Sequence, residues 1–162
     1  LLRLSRLGRT ALEIEKLDMN RIIAGLTDTF EFRLQQTDAV LQVAENLPLC
    51  LGDEGQISQV FANLLDNALK YLDPNRSGNI KIGGCLEGDQ AIYWIEDNGI
   101  GIAPEHQPKI YEIFHRLHPD HSDGEGLGLT IVHRILDRHH GSIRVESEPG
   151  RGSKFFVSLP AC

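Results

Sequence analysis

The segment from Gln56 to Tyr71, QISQVFANLLDNALKY, constrains this chain more than any other. Ile57, Val60, Phe61, Leu64, Leu65, Ala68, Leu69 and Leu72 recur every three or four residues, the spacing of one continuous apolar helix face. At roughly 100° per residue, Asn63, Asn67 and Lys70 fall within a stripe about 60° wide on the side away from that face. A carboxamide oxygen is a neutral, hard ligand suited to hydrated Mg2+, and a lysine ammonium beside it is a point charge for phosphate. The same three residues also suit an ordinary solvated face, and the helix alone leaves both readings open.

With 162 residues the chain is a single domain long enough for a proper core, and no repeat or low-complexity tract divides it. A formal charge of -7 and the lack of a basic stripe with interleaved aromatics argue against a nucleic-acid partner. No apolar run approaches the roughly eighteen residues of a membrane span, and no signal peptide is present, so no membrane segment is expected in this chain. It opens mid-pattern on Leu1-Leu2-Arg3-Leu4 without an initiator Met, which predicts a piece of a longer protein. A membrane anchor would belong to the remainder. Cys50, Cys85 and Cys162 are odd in number, far apart and without CxxC or Cys/His spacing, which reads as reduced thiols in a cytoplasmic protein.

Leu4, Leu7, Ala11 and Ile14 form a heptad seam within residues 1–17, and the expectation is a helix ending there. Asp18 suits the cap of a second helix over about 20–36, with Ile22, Ile23, Leu26 and Phe30 inward. Alternation in Val40–Ala44 and Leu47–Leu51 reads as two short strands, and Asp53 with Gln56 as a capping pair for the central helix. Strands are expected near Asn79–Glu87 and Gln90–Glu96, turning at Gly88-Asp89.

Past the second strand comes Asp97-Asn98-Gly99-Ile100-Gly101-Ile102. Asn-Gly is commonly a tight turn; here no partner strand follows at once. Two glycines beside an aspartate would also let the backbone approach a flat ligand while the carboxylate accepts its hydrogen bonds. Residues 103–123 keep no sustained period, as in a lid or binding loop. His115, His118 and His121 repeat every three residues, but Pro119 breaks the helix that would align them and no carboxylate or thiol completes a metal pattern. Gly124-Glu125-Gly126-Leu127-Gly128-Leu129 then runs into an amphipathic helix with Ile131, Val132, Ile135 and Leu136 inward, ended by Gly141. Such a run is a structural turn or a phosphate cradle at a helix N-terminus. The last strands, Ser142–Glu148 and Lys154–Leu159, are joined by Pro149-Gly150-Arg151-Gly152-Ser153, whose glycines need only make a hairpin connection.

Taken together and in this order, these pieces resemble the ATP-binding catalytic domain of bacterial sensor histidine kinases. That domain belongs to the Bergerat-fold superfamily shared with type II topoisomerases, heat-shock chaperone ATPases and mismatch-repair ATPases. Asn63 to Tyr71 resembles its asparagine box, Asp97 to Gly101 its first glycine box, Tyr111 to Arg116 its phenylalanine box and Gly124 to Leu129 its second glycine box. Tyr111 stands where phenylalanine is common and Glu125 where threonine is. Phe114 to Pro119 resembles phytochrome-like, PAS-linked kinases.

The resemblance implies an α/β (α+β) two-layer sandwich, with helices on one face of a mixed, mostly antiparallel sheet. Residues 1–17 would end a dimerisation helix, 18–37 form a connecting helix, and 38–162 bind ATP under a lid at about 103–124. It implies ATP and Mg2+ as ligands. Asn67 and Asn63 would take the metal, Lys70 and Arg116 phosphate, Tyr71 the flank of the nucleotide and Asp97 the adenine amine. Gly99, Gly101 and Ile102 would shape that pocket. Phe114 would anchor the lid, and Gly124, Gly126, Leu127, Gly128 and Leu129 would close it over the phosphates.

The superfamily's ATPases carry a glutamate one turn before the metal asparagine; here that position is Asn63, which is no general base. The implied activity is therefore phosphoryl transfer to a histidine, for relay to a response regulator receiver domain. The alternatives are an ATPase of the same superfamily and a non-catalytic module that senses nucleotide or binds a partner. None of the seven histidines precedes the Glu/Asp-Leu-Arg-x-Pro pattern of the acceptor, so the acceptor helix is expected on the protein's own dimerisation domain, outside this chain and homodimeric.

Overall fold

The computed structural model describes residues 11–109 and 125–162. In chain order these form β1 (Glu15–Leu17), α1 (Met19–Thr37), β2 (Val40–Val43), β3 (Cys50–Gly52), α2 (Glu54–Lys70), β4 (Asn79–Glu87), β5 (Gln90–Asp97), α3 (Glu125–Arg138), β6 (Ser142–Glu148) and β7 (Gly152–Pro160). A short 3-10 turn, Gln107–Lys109, precedes the undescribed stretch.

Five strands make one sheet in the order β2-β4-β5-β7-β6. The β2–β4 pair is parallel and the other three pairs are antiparallel. Period-two alternation decides its faces. Ile80, Ile82, Ala91, Tyr93, Ile95, Phe155, Val157 and Leu159 are buried and face the helices. The other face is wet and charged. Across four strands Gly83, Trp94, Phe156 and Arg144 stand in one row, with the Arg144 guanidinium 3.7 Å above the Phe156 ring. Beside it run Lys81, Glu96, Lys154 and Glu146, alternating in sign. This is the expected two-layer sandwich, with one sheet face covered and the other stabilised by cross-strand pairs.

The apolar stripe of α2 fills the middle of the sandwich: Ile57, Val60, Phe61, Leu64 and Leu65 are at most 1% exposed. Phe61 meets Tyr93 of β5 edge to face at 5.7 Å, which fixes the helix over the strand that carries Asp97. The Tyr93 hydroxyl donates to the Pro48 carbonyl at 2.5 Å. Cys50 lies beside it, and burial pushes its thiol up to about 11, leaving it unreactive at neutral pH.

Helix ends follow local chemistry. Asp18 and Asp53 cap α1 and α2 by accepting the N–H groups of Arg21 and Gln56. The end of α3 departs from the sequence reading. His140, not Gly141, takes the left-handed position (φ 57), with His140 N–H to the Asp137 carbonyl and Gly141 N–H to the Leu136 carbonyl. Gly141 is required by proximity, since a Cβ there would strike the Ser158 carbonyl. Buried His139 closes the joint: Nδ1 donates to the Ile135 carbonyl at 2.7 Å and Nε2 accepts the Asp53 N–H at 3.1 Å. The end of α3 is thereby tied to the start of α2.

The heptad expectation does not hold where it can be seen. Residues 11–14 are not helical, and Glu15–Leu17 pair antiparallel with β3. Leu17 is 1% exposed there, Glu13 N–H donates to Asp53, and Ile14 is exposed. Two heptads lack the length to hold a helix without a partner, so strand pairing to β3 wins. Leu4 and Leu7 lie outside the described residues.

Candidate functional site

The end of β5 positions the centre of the site. Asp97 is 9% exposed, and its Oδ1 accepts the Gly99 N–H at 2.9 Å and the Ser153 N–H at 3.3 Å. Burial pushes its carboxyl up to about 6; those two backbone donors oppose the rise, Glu96 adds to it, and Arg76 works against it. Oδ2 carries neither of these two bonds.

Absent side chains bring three backbone segments close around Asp97. A Cβ on Gly99 would strike the Tyr71 carbonyl, one on Gly101 the Glu148 carbonyl and one on Gly152 the Asp97 carbonyl. Gly101 and Gly152 also hold φ of 77° and 126°, which favour glycine. The contacts are sealed by Ile100 N–H to the Tyr71 carbonyl at 2.9 Å and Gly150 N–H to the Ile100 carbonyl at 2.8 Å. Ile102 N–H donates to Ser147 Oγ at 2.7 Å, and Gln107 Nε2 spans the Ile102 and Ser147 carbonyls.

Between this floor and α2 is a cleft walled by Ala68, Ile102, Leu129 and Phe155, with Asn67, Tyr71, Asp97, Gly101 and Ser153 completing it. Its enclosed volume is about 20 Å3, room for an ordered water. A larger hollow of about 470 Å3 lies over the wet sheet face. Its Lys81, Glu96, Lys154 and Glu146 alternate in sign, with Lys154 paired to Glu96 and Glu146 to Arg144, so the smaller cleft around buried Asp97 is the better-built site.

The polar stripe of α2 is not a solvated face. Asn67 is 8% exposed, and its carboxamide makes no hydrogen bond to a described residue while lining the cleft. An amide on the wall of a cleft offers an oxygen acceptor and a nitrogen donor to whatever enters, and its oxygen suits a hydrated cation. Asn63 Nδ2 donates to the Gly128 carbonyl of α3 at 3.3 Å, which turns its Oδ1 away from that bond. Lys70 Nζ is 3.1 Å from Asp66 Oδ2, and Asp66 Oδ1 accepts from Arg33 Nη1 of α1 at 2.6 Å. Its ammonium is thus held by Asp66.

Of the residues read from the sequence, Asn67, Tyr71, Asp97, Gly101, Ile102 and Leu129 line one cleft. Gly99 packs against the Tyr71 carbonyl behind it, while Asn63 and Lys70 stand about one turn to either side of Asn67 on α2 and do not line the cleft. Gly126, Leu127 and Gly128 lie inside α3, which begins at Glu125. The glycine run is therefore helix backbone there, not a loop leading into the helix. Phe114, Arg116 and Gly124, with the three spaced histidines, fall outside the described residues. Among those described, no cluster of three or more His, Cys, Asp or Glu groups forms a metal site.

The sequence reading missed Gly152, Ser153, Ser147 and Phe155. Their glycine-rich turn looks like a plain hairpin connection, and its approach to Asp97, more than fifty residues away, follows from the β5–β7 register.

A family described as histidine kinase-, DNA gyrase B-, and HSP90-like ATPase matches residues 52–162. Cyanobacterial phytochrome B of Nostoc sp. is 38% identical over 162 residues, covering 98% of this chain and 21% of that protein. The methanogenesis regulatory histidine kinase FilI of Methanothrix harundinacea is 34% identical over 159 residues, covering 98% of this chain and 18% of its own length. The chain thus spans about a fifth of these relatives. In the solved structures, full-length ShkA in complex with AMPPNP superposes with a TM-score of 0.85 at 27% identity, covering 99% of this chain and 34% of that one. Fold, site order and relatives agree: the chain belongs to the histidine kinase-, DNA gyrase B- and HSP90-like ATPase family, and within it to the catalytic domains of histidine kinases.

Proposed function

We propose that this chain binds Mg-ATP in the Asp97–Asn67 cleft and transfers the γ-phosphoryl group to a histidine on the protein's own dimerisation domain. A response regulator receiver domain is the onward acceptor. The observation that carries the reading is the pairing of two groups in one cleft. Asp97 is buried with an acceptor to spare, and Asn67 is buried with its carboxamide free of described partners. The first suits a purine amine and the second a cation hydrated between phosphates.

Asn67 would hold the metal, with Asn63 Oδ1 beside it, and Mg2+ when bound would neutralise phosphate charge. Phe155, Ile102 and Leu129 exclude water around the base, and Tyr71 flanks it. Lys70, which pairs with Asp66 one turn before it, would exchange that partner for phosphate. Phe114, Arg116 and Gly124 would belong to a lid over about 103–124, which leads into the first turn of α3 at Gly126, Leu127 and Gly128. At position 63 the side chain is a carboxamide already donating to Gly128, so it cannot take a proton from water. That favours transfer to a better nucleophile over hydrolysis. The domain's contribution is positioning and charge neutralisation, the main requirements of phosphoryl transfer.

The proposed organisation keeps the dimerisation region to residues before Glu15, because β1 pairs with β3 and α1 gives Met19, Ile22, Ile23 and Leu26 to the core shared with 38–162, the nucleotide-binding unit. No helix among the described residues is long and apolar enough to cross a membrane. The proposed place of work is the cytoplasm, whatever anchors the whole protein.

The test is calorimetry with a non-hydrolysable ATP analogue, with and without Mg2+, followed by labelling of a supplied dimerisation domain. One Mg2+-strengthened site per chain and labelled histidine are expected. Binding without labelling would leave a nucleotide sensor, and phosphate release without acceptor would mark an ATPase.

A further inference from the structure

Arg76 lies in the loop after α2, outside every motif named above, and reaches back to the turn that follows β5. Its Nε donates to the Asn98 carbonyl at 2.7 Å and its Nη2 to the Gly99 carbonyl at 2.6 Å. In a trans peptide the C=O and N–H of one plane point in opposite directions. The plane bearing the Asn98 carbonyl also bears Gly99 N–H, which donates to Asp97 Oδ1 at 2.9 Å. The next plane, bearing the Gly99 carbonyl, also bears Ile100 N–H, which donates to the Tyr71 carbonyl at 2.9 Å. One guanidinium therefore holds two consecutive peptides from outside while their N–H ends meet the carboxylate and the end of α2 inside.

The fork is itself held. Asp73 Oδ2 lies 3.7 Å from Arg76 Nη2, and its Oδ1 accepts the Asn75 N–H at 2.8 Å. Asn98 stitches the same loop to the same turn, accepting from Asn79 N–H at 2.8 Å and donating to the Ser77 carbonyl at 2.9 Å. Gly99 has no side chain to orient its own peptides, so the bonds to Arg76, Asp97 and Tyr71 do so.

We propose that Arg76 is a positioning residue for purine recognition, its planar fork orienting the Asn98–Gly99–Ile100 peptides and through them the Asp97 carboxylate. The inference rests on the nucleotide reading above and adds a residue acting through the turn it grips. Arg76 also favours the charged form of Asp97. Other charged groups near Asp97 are Glu96 on its own strand, Lys81 on β4, Lys154 on β7, and Glu148 and Arg151 at the β6–β7 turn, while α2 presents uncharged Asn67.

The experiment compares the wild-type chain with Arg76→Gln and Arg76→Lys. It reads the affinity for a non-hydrolysable ATP analogue with Mg2+, and the pH titration of the Asp97 carboxyl by carbon NMR. In Arg76→Gln the affinity falls by about tenfold or more, from two lost charge-assisted bonds. The Asp97 midpoint moves up and the Gly99 amide proton moves upfield. Arg76→Lys keeps the charge without the fork, so it restores the midpoint but not the full affinity; it also keeps the test decisive where the glutamine variant fails to fold. Wild-type affinity and an unmoved midpoint in Arg76→Gln, whatever its melting temperature, overturn the proposal. A wild-type chain that binds no analogue overturns the nucleotide reading instead, before any Arg76 variant is compared.

Discussion

Replacing Asp97 by Asn should separate stability from function in opposite directions. Asp97 Oδ1 already takes two backbone N–H groups, so the variant keeps them by placing its amide oxygen there. The nitrogen then replaces Oδ2 and presents a donor where the proposed adenine amine also donates. A lost hydrogen bond to a charged group is worth about 1.5–3 kcal/mol, and the unpaired donor left behind about 1–3 kcal/mol more. At about 1.4 kcal/mol per tenfold, nucleotide affinity falls by roughly two to four orders of magnitude. The ligand-free fold moves the other way. Burial holds this carboxyl at about 6 instead of 3.8. A raised folded value means that stability is fully present below pH about 4 and lost as pH rises through about 6. At roughly 1.4 kcal/mol per pH unit, the buried carboxylate costs up to about 3 kcal/mol at pH 7.5, and a neutral carboxamide avoids much of it. The assay is calorimetric titration beside urea unfolding at pH 7.5 and pH 4. The variant should be more stable than wild type at pH 7.5, with the difference shrinking at pH 4. Near wild-type nucleotide affinity would falsify the adenine assignment, and a variant less stable at both pH values would show that burial does not dominate at Asp97.

Three further outcomes follow from the same geometry. Nucleotide affinity in the wild type should plateau above pH about 6 and weaken by about tenfold per unit below it, as the Asp97 carboxyl gains its proton; a flat profile from pH 5 to 8 would remove Asp97 from recognition. His139→Ala should cost about 2–4 kcal/mol in urea unfolding, because it leaves the Asp53 N–H unpaired and opens a void between the end of α3 and the start of α2; a change under about 0.5 kcal/mol would mean the joint relaxes without it. Asn63→Glu should leave phosphate release slow, within about tenfold of wild type, since a carboxylate there loses the donor to Gly128 and still lacks a placed water; rapid release would show that this one position separates kinase from ATPase.

What was legible in the sequence was local. The α2 stripe, the β4–β5 hairpin at Gly88-Asp89 and the caps at Asp18 and Asp53 depend on periods and side chains a few residues apart, and each appears where the spacing puts it. What was not legible depends on pairings across long stretches of chain. Glu15–Leu17 joins β3 because Leu17 fills a buried position there, a contact no heptad count contains. His139 reads as one of two histidines before a helix-ending glycine, yet it serves the cap of another helix. The glycines show the limit most clearly. Gly99, Gly101 and Gly152 look like turn formers, but each also stands where a carbonyl of another segment leaves no room for a Cβ. Those close approaches strip water from Asp97, and that desolvation raises its carboxyl towards neutrality. The packing that makes the floor of the cleft thus also makes its carboxylate costly, while two backbone N–H groups and Arg76 favour its charged form. A buried acceptor maintained against that cost, with one oxygen turned away from its structural bonds, has more to gain from a ligand's donor than a solvated one.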